Sequence, residues 1–212
     1  MANDLHKLLQ VKKHSGESIA VCRSALDAAE GDVENALELL TRKTIDDAKT
    51  PFDDSDWFTG PPLTRKKLEA TEVQLGYKFP IEYASLLYIK NGGCTKRNCF
   101  PVKQPTSWAE DHISITGIRG IGGKYGINPA TECEINSEWG YPDFGFVFAE
   151  TPTAGHTVVM FDYSECGSLG EPRIVWVDVY GEKPEVLILA ANFTEFMEGL
   201  MDAQKFENGN DN

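Results

Sequence analysis

The hydrophobic period of the chain changes near its middle, and few folds accommodate such a change. Up to Asn91 the apolar residues recur at three- and four-residue spacing. From Ile113 onward they come in short runs, Ile113–Ile118, Phe144–Ala149, Thr157–Asp162, Arg173–Val179 and Val186–Leu189, rich in β-branched and aromatic residues and separated by Gly/Pro turns. The first spacing is that of a helix with one apolar face, and the second is that of strands between turns. Near the end the helical period returns: Asn192 and Glu195 form a capping pair, and Phe193, Phe196, Met197 and Leu200 share one face. Helices, then strands, then a helix predict an α+β domain, with helices packed on a mainly antiparallel sheet.

The pattern divides the 212 residues. Residues 1–45 read as a small three-helix bundle. Leu5, Leu8 and Leu9 share a face of the first helix, and Ile19, Cys22, Ala25, Leu26 and Ala29 share one of the second. After Gly31, Asp32 caps a third helix carrying Val33, Ala36, Leu37 and Leu40. Residues 46–62 read as an acidic linker, with five Asp against Lys49 and with Pro51, Gly60, Pro61 and Pro62 breaking any period. Such stretches are usually solvated, although the Trp57-Phe58 pair calls for a docking surface on the domain that follows. Residues 63–200 form the main domain: Thr64 caps a helix with Leu68 and Leu75 inward, and Pro80 opens a second with Tyr83, Leu86 and Leu87. Residues 201–212 read as a disordered tail.

Two stretches resemble known families. Val11-Lys-Lys-His-Ser-Gly16, Val21-Cys-Arg-Ser-Ala-Leu26, Ala29-Glu-Gly-Asp-Val33 and Ala36-Leu-Glu-Leu-Leu40 are similar to a ubiquitin-associated-type three-helix domain, of the kind found at the N-terminus of elongation factor Ts. Ubiquitin-binding members carry a Met-Gly-aromatic turn, here replaced by His14-Ser15-Gly16-Glu17, so the resemblance does not extend to ubiquitin binding. Further on, Leu75-Gly-Tyr-Lys-Phe-Pro80, Tyr83, Leu86-Leu87 and Asn91-Gly-Gly93 resemble the N-terminal motif of the SUKH superfamily. Gly120-Ile-Gly-Gly123, Trp139-Gly-Tyr-Pro142, Glu150 to His156, Phe161-Asp-Tyr163, Gly170-Glu-Pro-Arg173 and Val177-Asp178 follow in that superfamily's order. The superfamily contains fungal cell-wall assembly regulators and bacterial toxin-immunity proteins. The resemblance implies a non-catalytic protein-binding module, with an immunity protein or a regulatory scaffold as the two forms of that role.

Charge and cysteine content narrow the partners. With 33 acidic against 20 basic residues the net charge is -13, which repels nucleic-acid phosphates and anionic membrane surfaces. No apolar run approaches the ~20 residues of a membrane span, and no secretory signal precedes the helices. Five unevenly spaced cysteines fit a reducing cytoplasm rather than a disulfide framework.

Each candidate chemistry fails on its own residues. Gly117 to Lys124 has the glycine offset of a phosphate loop, but Gly123 stands where the lysine is required and Tyr125 replaces the glycine of a dinucleotide fingerprint. Cys94 and Cys99 give half of a zinc spacing, while Cys133 and Cys166 stand alone, so no metal or other cofactor is expected. His156 and Asp162 fall on one strand face with Ser164 and Cys166 nearby, but no nucleophile elbow surrounds them, and a structural histidine is the reading preferred.

The remaining candidate is a surface. Glu132, Glu134, Glu138, Asp143 and Glu150 interleave with Trp139, Tyr141 and Phe144, and Trp108 with Glu110 and Asp111 repeats the combination. This composition fits a solvated acidic loop and equally an acidic rim around aromatic anchors that meets a basic protein. The residues expected to bind a partner are Trp108, Glu110, Asp111, Glu138, Trp139, Tyr141 and Asp143. The charge is polarised: residues 63–103 hold 8 basic against 3 acidic groups, and residues 104–200 hold 4 against 15. A basic partner is therefore expected on the strand-and-loop side.

Overall fold

A computed structural model describes residues 2–15, 18–46 and 50–207. Three helices come first, α1 (Ala2–Ser15), α2 (Ile19–Ala28) and α3 (Val33–Asp46). Ser18 caps α2 by accepting from the Val21 N–H, and Asp32 accepts from the Asn35 N–H at 2.9 Å at the start of α3. Leu8, Val11, Cys22, Ala25, Leu26, Ala29, Ala36 and Leu40 close a small core between them. α3 lies beside α5 (Ile81–Ile89), and Lys66 pairs with Glu30 at 2.7 Å across the same junction.

Residues 50–62 do not stand off as a solvated linker. Phe52 is fully buried and bridges Thr95, and the Asp53 and Gly60 amides bond to Cys94 and Asn91 carbonyls. Phe58 is buried while Trp57 stacks on Tyr125 at 5.3 Å. The acidic residues keep the strap's outer side wet, and its aromatic residues hold it to the domain. Residues 47–49 of the expected linker lie outside the described residues.

The main domain is α+β. Helices α4 (Arg65–Leu75) and α5 are followed by β1 (Cys99–Pro101), β2 (His112–Ser114) and β3 (Gly117–Ile118). Then come α6 (Pro129–Trp139), β4 (Gly145–Glu150), β5 (Thr157–Asp162), β6 (Arg173–Asp178), β7 (Glu185–Ala190), α7 (Phe193–Gly199) and α8 (Gln204–Glu207). β3 to β7 form an antiparallel five-stranded sheet in sequence order, and β1 and β2 form a separate pair. The expected run Ile113–Ile118 is thus divided between two sheets: Ile115 donates to Asn98, whereas Thr116 donates to Glu150.

Strand alternation gives the sheet two buried faces. Phe146, Phe148, Val159, Phe161, Ile174 and Trp176 point to one side, where Tyr83, Leu87, Phe193 and Phe196 from α5 and α7 cover them. Val147, Val158, Met160, Val175 and Val177 point to the other, with Ile135 of α6, Tyr141, Phe144 and Val179 over them. Asn192 caps α7 at the Glu195 N–H, 2.9 Å away, and Glu195 returns a bond to the Ala191 N–H, the capping pair expected from sequence.

Three expectations need correcting. Residues 129–139 are not an acidic loop but the helix α6, with Asn128 accepting from the Ala130 N–H, Pro129 in the first turn and Gly140 in the left-handed conformation at the end. Pro80 lies at the cap of α5 rather than inside its first turn. Residues 201–207 are not frayed, since Met201 exchanges backbone bonds with Cys99 and Phe206 of α8 stacks on His112 at 4.3 Å. The end of the expected tail, residues 208–212, lies outside the described residues.

Candidate functional site

The seven residues expected at the partner surface fall on two separate elements. Trp108, Glu110 and Asp111 sit on the connection from β1 to β2, exposed above a turn in which the Thr106 hydroxyl accepts from the Trp108 and Ala109 amides. Asp111 Oδ1 lies 2.8 Å from His112 Nδ1. Glu138 and Trp139 end α6, and Tyr141 and Asp143 lead from it into β4. Among the described residues no hydrogen bond, ion pair or ring contact joins the two groups.

The second group carries the more developed geometry. Trp139 is 40% exposed and stacks parallel to Tyr141, ring centroids 6.3 Å apart. Its other neighbour is His156, met edge-on at 5.6 Å, and His156 stacks in turn on Tyr180 at 4.3 Å. Tyr180 is 60% exposed. Two backbone conditions hold this row. Gly155 has φ +97°, and a Cβ there would collide with the Trp139 ring, so glycine lets the indole lie on the turn. The Tyr141 hydroxyl donates to the Gly155 carbonyl, and burial pushes its ionisation well above the ordinary range. The Thr151, Thr153 and Thr157 hydroxyls knit the turn from inside.

Around the row the charge is acidic: Glu138, Asp143, Glu182 and Glu185 are all exposed. Of the two aromatic residues expected here, Trp139 is exposed, whereas Tyr141 is buried and stacks against it. Sequence reasoning missed Tyr180, and it assigned His156 a structural part that left out its exposure. The signal for Tyr180 was an aromatic residue opening the polar Gly181-Glu182-Lys183-Pro184 turn.

Two members of the acidic series turn to Arg119 instead of the rim, Glu132 buried and Glu150 half-buried. Glu132 is buried and clamps Arg119 through both oxygens, at 3.0 and 2.7 Å. Arg119 also donates to the Tyr125, Gly126 and Val147 carbonyls, so its fork ties the glycine loop to β4 and α6. Glu150 lies 3.6 Å from Arg119 Nε, and burial raises its pKa against the pull of that cation. The loop itself crosses the Asn91-Gly92-Gly93 turn. Asn91 Oδ1 accepts from the Ile121 N–H at 2.8 Å, and a Cβ on Gly120 would collide with the Asn91 carbonyl. Gly117 to Lys124 is thus a packed crossing of two backbones.

His156 immediately precedes β5, and Asp162 ends it. Asp162 instead accepts from the Ser164 N–H at 2.8 Å and from Arg173 Nε at 2.7 Å. Burial pushes its pKa up, but those hydrogen bonds outweigh it and the net shift is downward. A depressed carboxylate stabilises the fold fully above its unfolded value of about 4, and loses that contribution as pH falls through the lower native value. Asp162→Asn is expected to lower stability at pH 7, with the gap to the parent closing toward pH 2 in urea melts. An equal gap at both values would contradict this assignment.

Cys94 and Cys99 are not joined by a disulfide, and burial raises both thiols above their ordinary pKa. Among the described residues no group of three His, Cys, Asp or Glu side chains converges as metal ligands would, and no helix is long and apolar enough to cross a membrane.

The sequence matches the family described as SMI1/KNR4 family (SUKH-1) over residues 62–199. The chain belongs to the SMI1/KNR4 (SUKH-1) family. The match starts where the strap meets α4 and ends at the close of α7, so it takes in the sheet, both crossing glycine turns and the Trp139–His156–Tyr180 row. SUKH proteins are in general non-catalytic immunity or regulatory proteins that bind other proteins, toxins among them. No curated protein and no solved structure matches the chain.

Proposed function

We propose that this SUKH protein is an immunity-type binding protein, which neutralises a basic toxin domain by covering part of its surface. The observation that carries the reading is the exposed row Trp139–His156–Tyr180, seated on a glycine turn and rimmed by Glu138, Asp143, Glu182 and Glu185. Aromatic anchors that are already stacked lose little freedom on binding, and truncating such anchors commonly costs 2 kcal/mol or more. The acidic rim draws in a cationic partner and sets the association rate. The N-terminal bundle supplies a second contact, and the exposed Cys166 thiol suits a reducing cytoplasm.

One observation favours the regulatory scaffold as a second reading. Trp108, Glu110 and Asp111 form another aromatic-acidic patch on an element of their own, as a protein with several partners needs. Binding kinetics separate the two. For a toxin complex, Glu138→Gln with Asp143→Asn slows association several-fold at low salt and leaves dissociation nearly unchanged. Trp108→Ala has no effect on that complex. If the charge changes leave both the on-rate and its salt dependence untouched, the rim serves only solubility. Loss of binding with Trp108→Ala instead supports the scaffold.

A further inference from the structure

β7 is an open edge of the five-stranded sheet. At the opposite edge Gly93 bridges Ile118, but no strand among the described residues pairs with the outer side of β7. Half of its backbone N–H and C=O groups therefore face away from β6, as on any edge strand. Natural edges are commonly guarded by lysine or proline within the strand. Glu185 to Ala190 contains neither; Pro184 precedes it, and a register step at Leu189 bends only its far end. On the face shared with Val175 and Val177, Val186 is 41% and Ile188 is 56% exposed.

Beyond Ile188 the same edge opens into a cleft of about 540 Å³, lined by Asp162, Glu165, Glu171, Arg173 and Glu195. Arg173 is engaged with Asp162 and Glu165. Glu195 is used by the cap of α7, and burial together with neighbouring Glu82 raises the pKa of Glu171. The cleft thus keeps an excess of negative charge and one carboxyl that a cation would relieve.

We propose that the β7 edge accepts an extended segment of a partner protein as a sixth strand, with two aliphatic residues over Val186 and Ile188 and a lysine or arginine in the cleft. Side chains on one strand face recur every second residue, so the segment reads aliphatic-x-aliphatic-x-basic. Backbone bonds to β7 supply pairing, and the cleft supplies the preference for a cation. A second copy of this chain is the poorer occupant, because it would set one acidic margin against another. The inference rests on the reading of this protein as a binder of basic proteins, and it adds a contact that starts at the rim residue Glu185 and runs along β7 away from the aromatic row to the cleft.

The test uses the full chain and a short probe peptide in which valine, valine and lysine alternate with threonine, made in both chain directions. One direction is expected to bind and to slow hydrogen exchange of amides in residues 185–189. N-methylating alternate peptide amides abolishes binding, Ile188→Lys weakens it at least ~10-fold, and Glu171→Gln weakens it severalfold. Trp139→Ala leaves it unchanged. Three results overturn the inference: no protection at β7, equal binding of the N-methylated peptide, or self-association of the protein that Ile188→Lys abolishes. If the peptide fails while Trp139→Ala still releases a captured protein partner, the strand site falls and the functional reading stands. Peptide binding with no protein partner has the opposite meaning.

Discussion

Glu132→Ala is expected to destabilise the domain by about 3–5 kcal/mol, read as a lower urea midpoint at unchanged slope. Arg119 is almost fully enclosed, and Glu132 meets it through both carboxylate oxygens. Removing Glu132 leaves a guanidinium that cannot give up its proton, with only carbonyls and the more distant Glu150 around it. Exposure of the pair to solvent would cut the effect below about 1 kcal/mol, so the size of the loss reports the burial directly. Replacing both partners, Arg119→Met with Glu132→Leu, is expected to recover much of the loss, because the charge and its desolvation go together. The recovery should be incomplete, since the Tyr125, Gly126 and Val147 carbonyls lose their donor. A loss under about 1 kcal/mol in the single variant would mean that the pair is not enclosed.

Phe148→Ala is expected to cost about 3–5 kcal/mol by a different physical route. The ring is fully buried where the sheet meets its helices, touching Phe161 at 4.1 Å, Phe196 at 5.5 Å, Phe193 at 5.7 Å and Tyr83 at 6.0 Å. Four large rings on three elements cannot all collapse into the space, so the cavity persists and adds to the lost transfer energy. Phe148→Leu should cost markedly less, since it keeps most of the volume. Thermal melts of the two variants check this, and equal shifts would show that ring geometry rather than volume matters there.

The fold was legible where one physical signal dominated. β5 and β6 are apolar on both faces and bounded by turn residues, and Asn192 with Glu195 announces α7 without ambiguity. α6 was not legible as an apolar pattern, because Glu132, Glu134 and Glu138 hide its one stripe. Its true signals were the Asn128-Pro129 start and the Gly140 stop, which is punctuation rather than periodicity. Glu132 went astray for the same reason: a carboxylate looks solvated until Arg119, thirteen residues earlier, is folded onto it. β1 was too short to register, and the division between β2 and β3 depends on partners distant in sequence.

The candidate site shows the same split between local and distant information. Trp139 and its acidic neighbours are adjacent in sequence and were read together. His156 and Tyr180 join them only because Val179 donates to the His156 carbonyl, where the start of β5 lies beside the end of β6. Trp108 shares the composition, but its element lies on the other sheet, and composition alone does not distinguish one surface from two.

The central claim is that the Trp139–His156–Tyr180 row is the anchor of a protein–protein contact. The direct measurement is affinity capture from the native host's lysate with the full chain, run beside Trp139→Ala/Tyr180→Ala and with both proteins shown to be folded by their melts. One basic protein is expected on the parent chain in stoichiometric amount, released by salt and lost from the double variant. Retention of the same protein by the double variant, or no protein held by either, would contradict the claim.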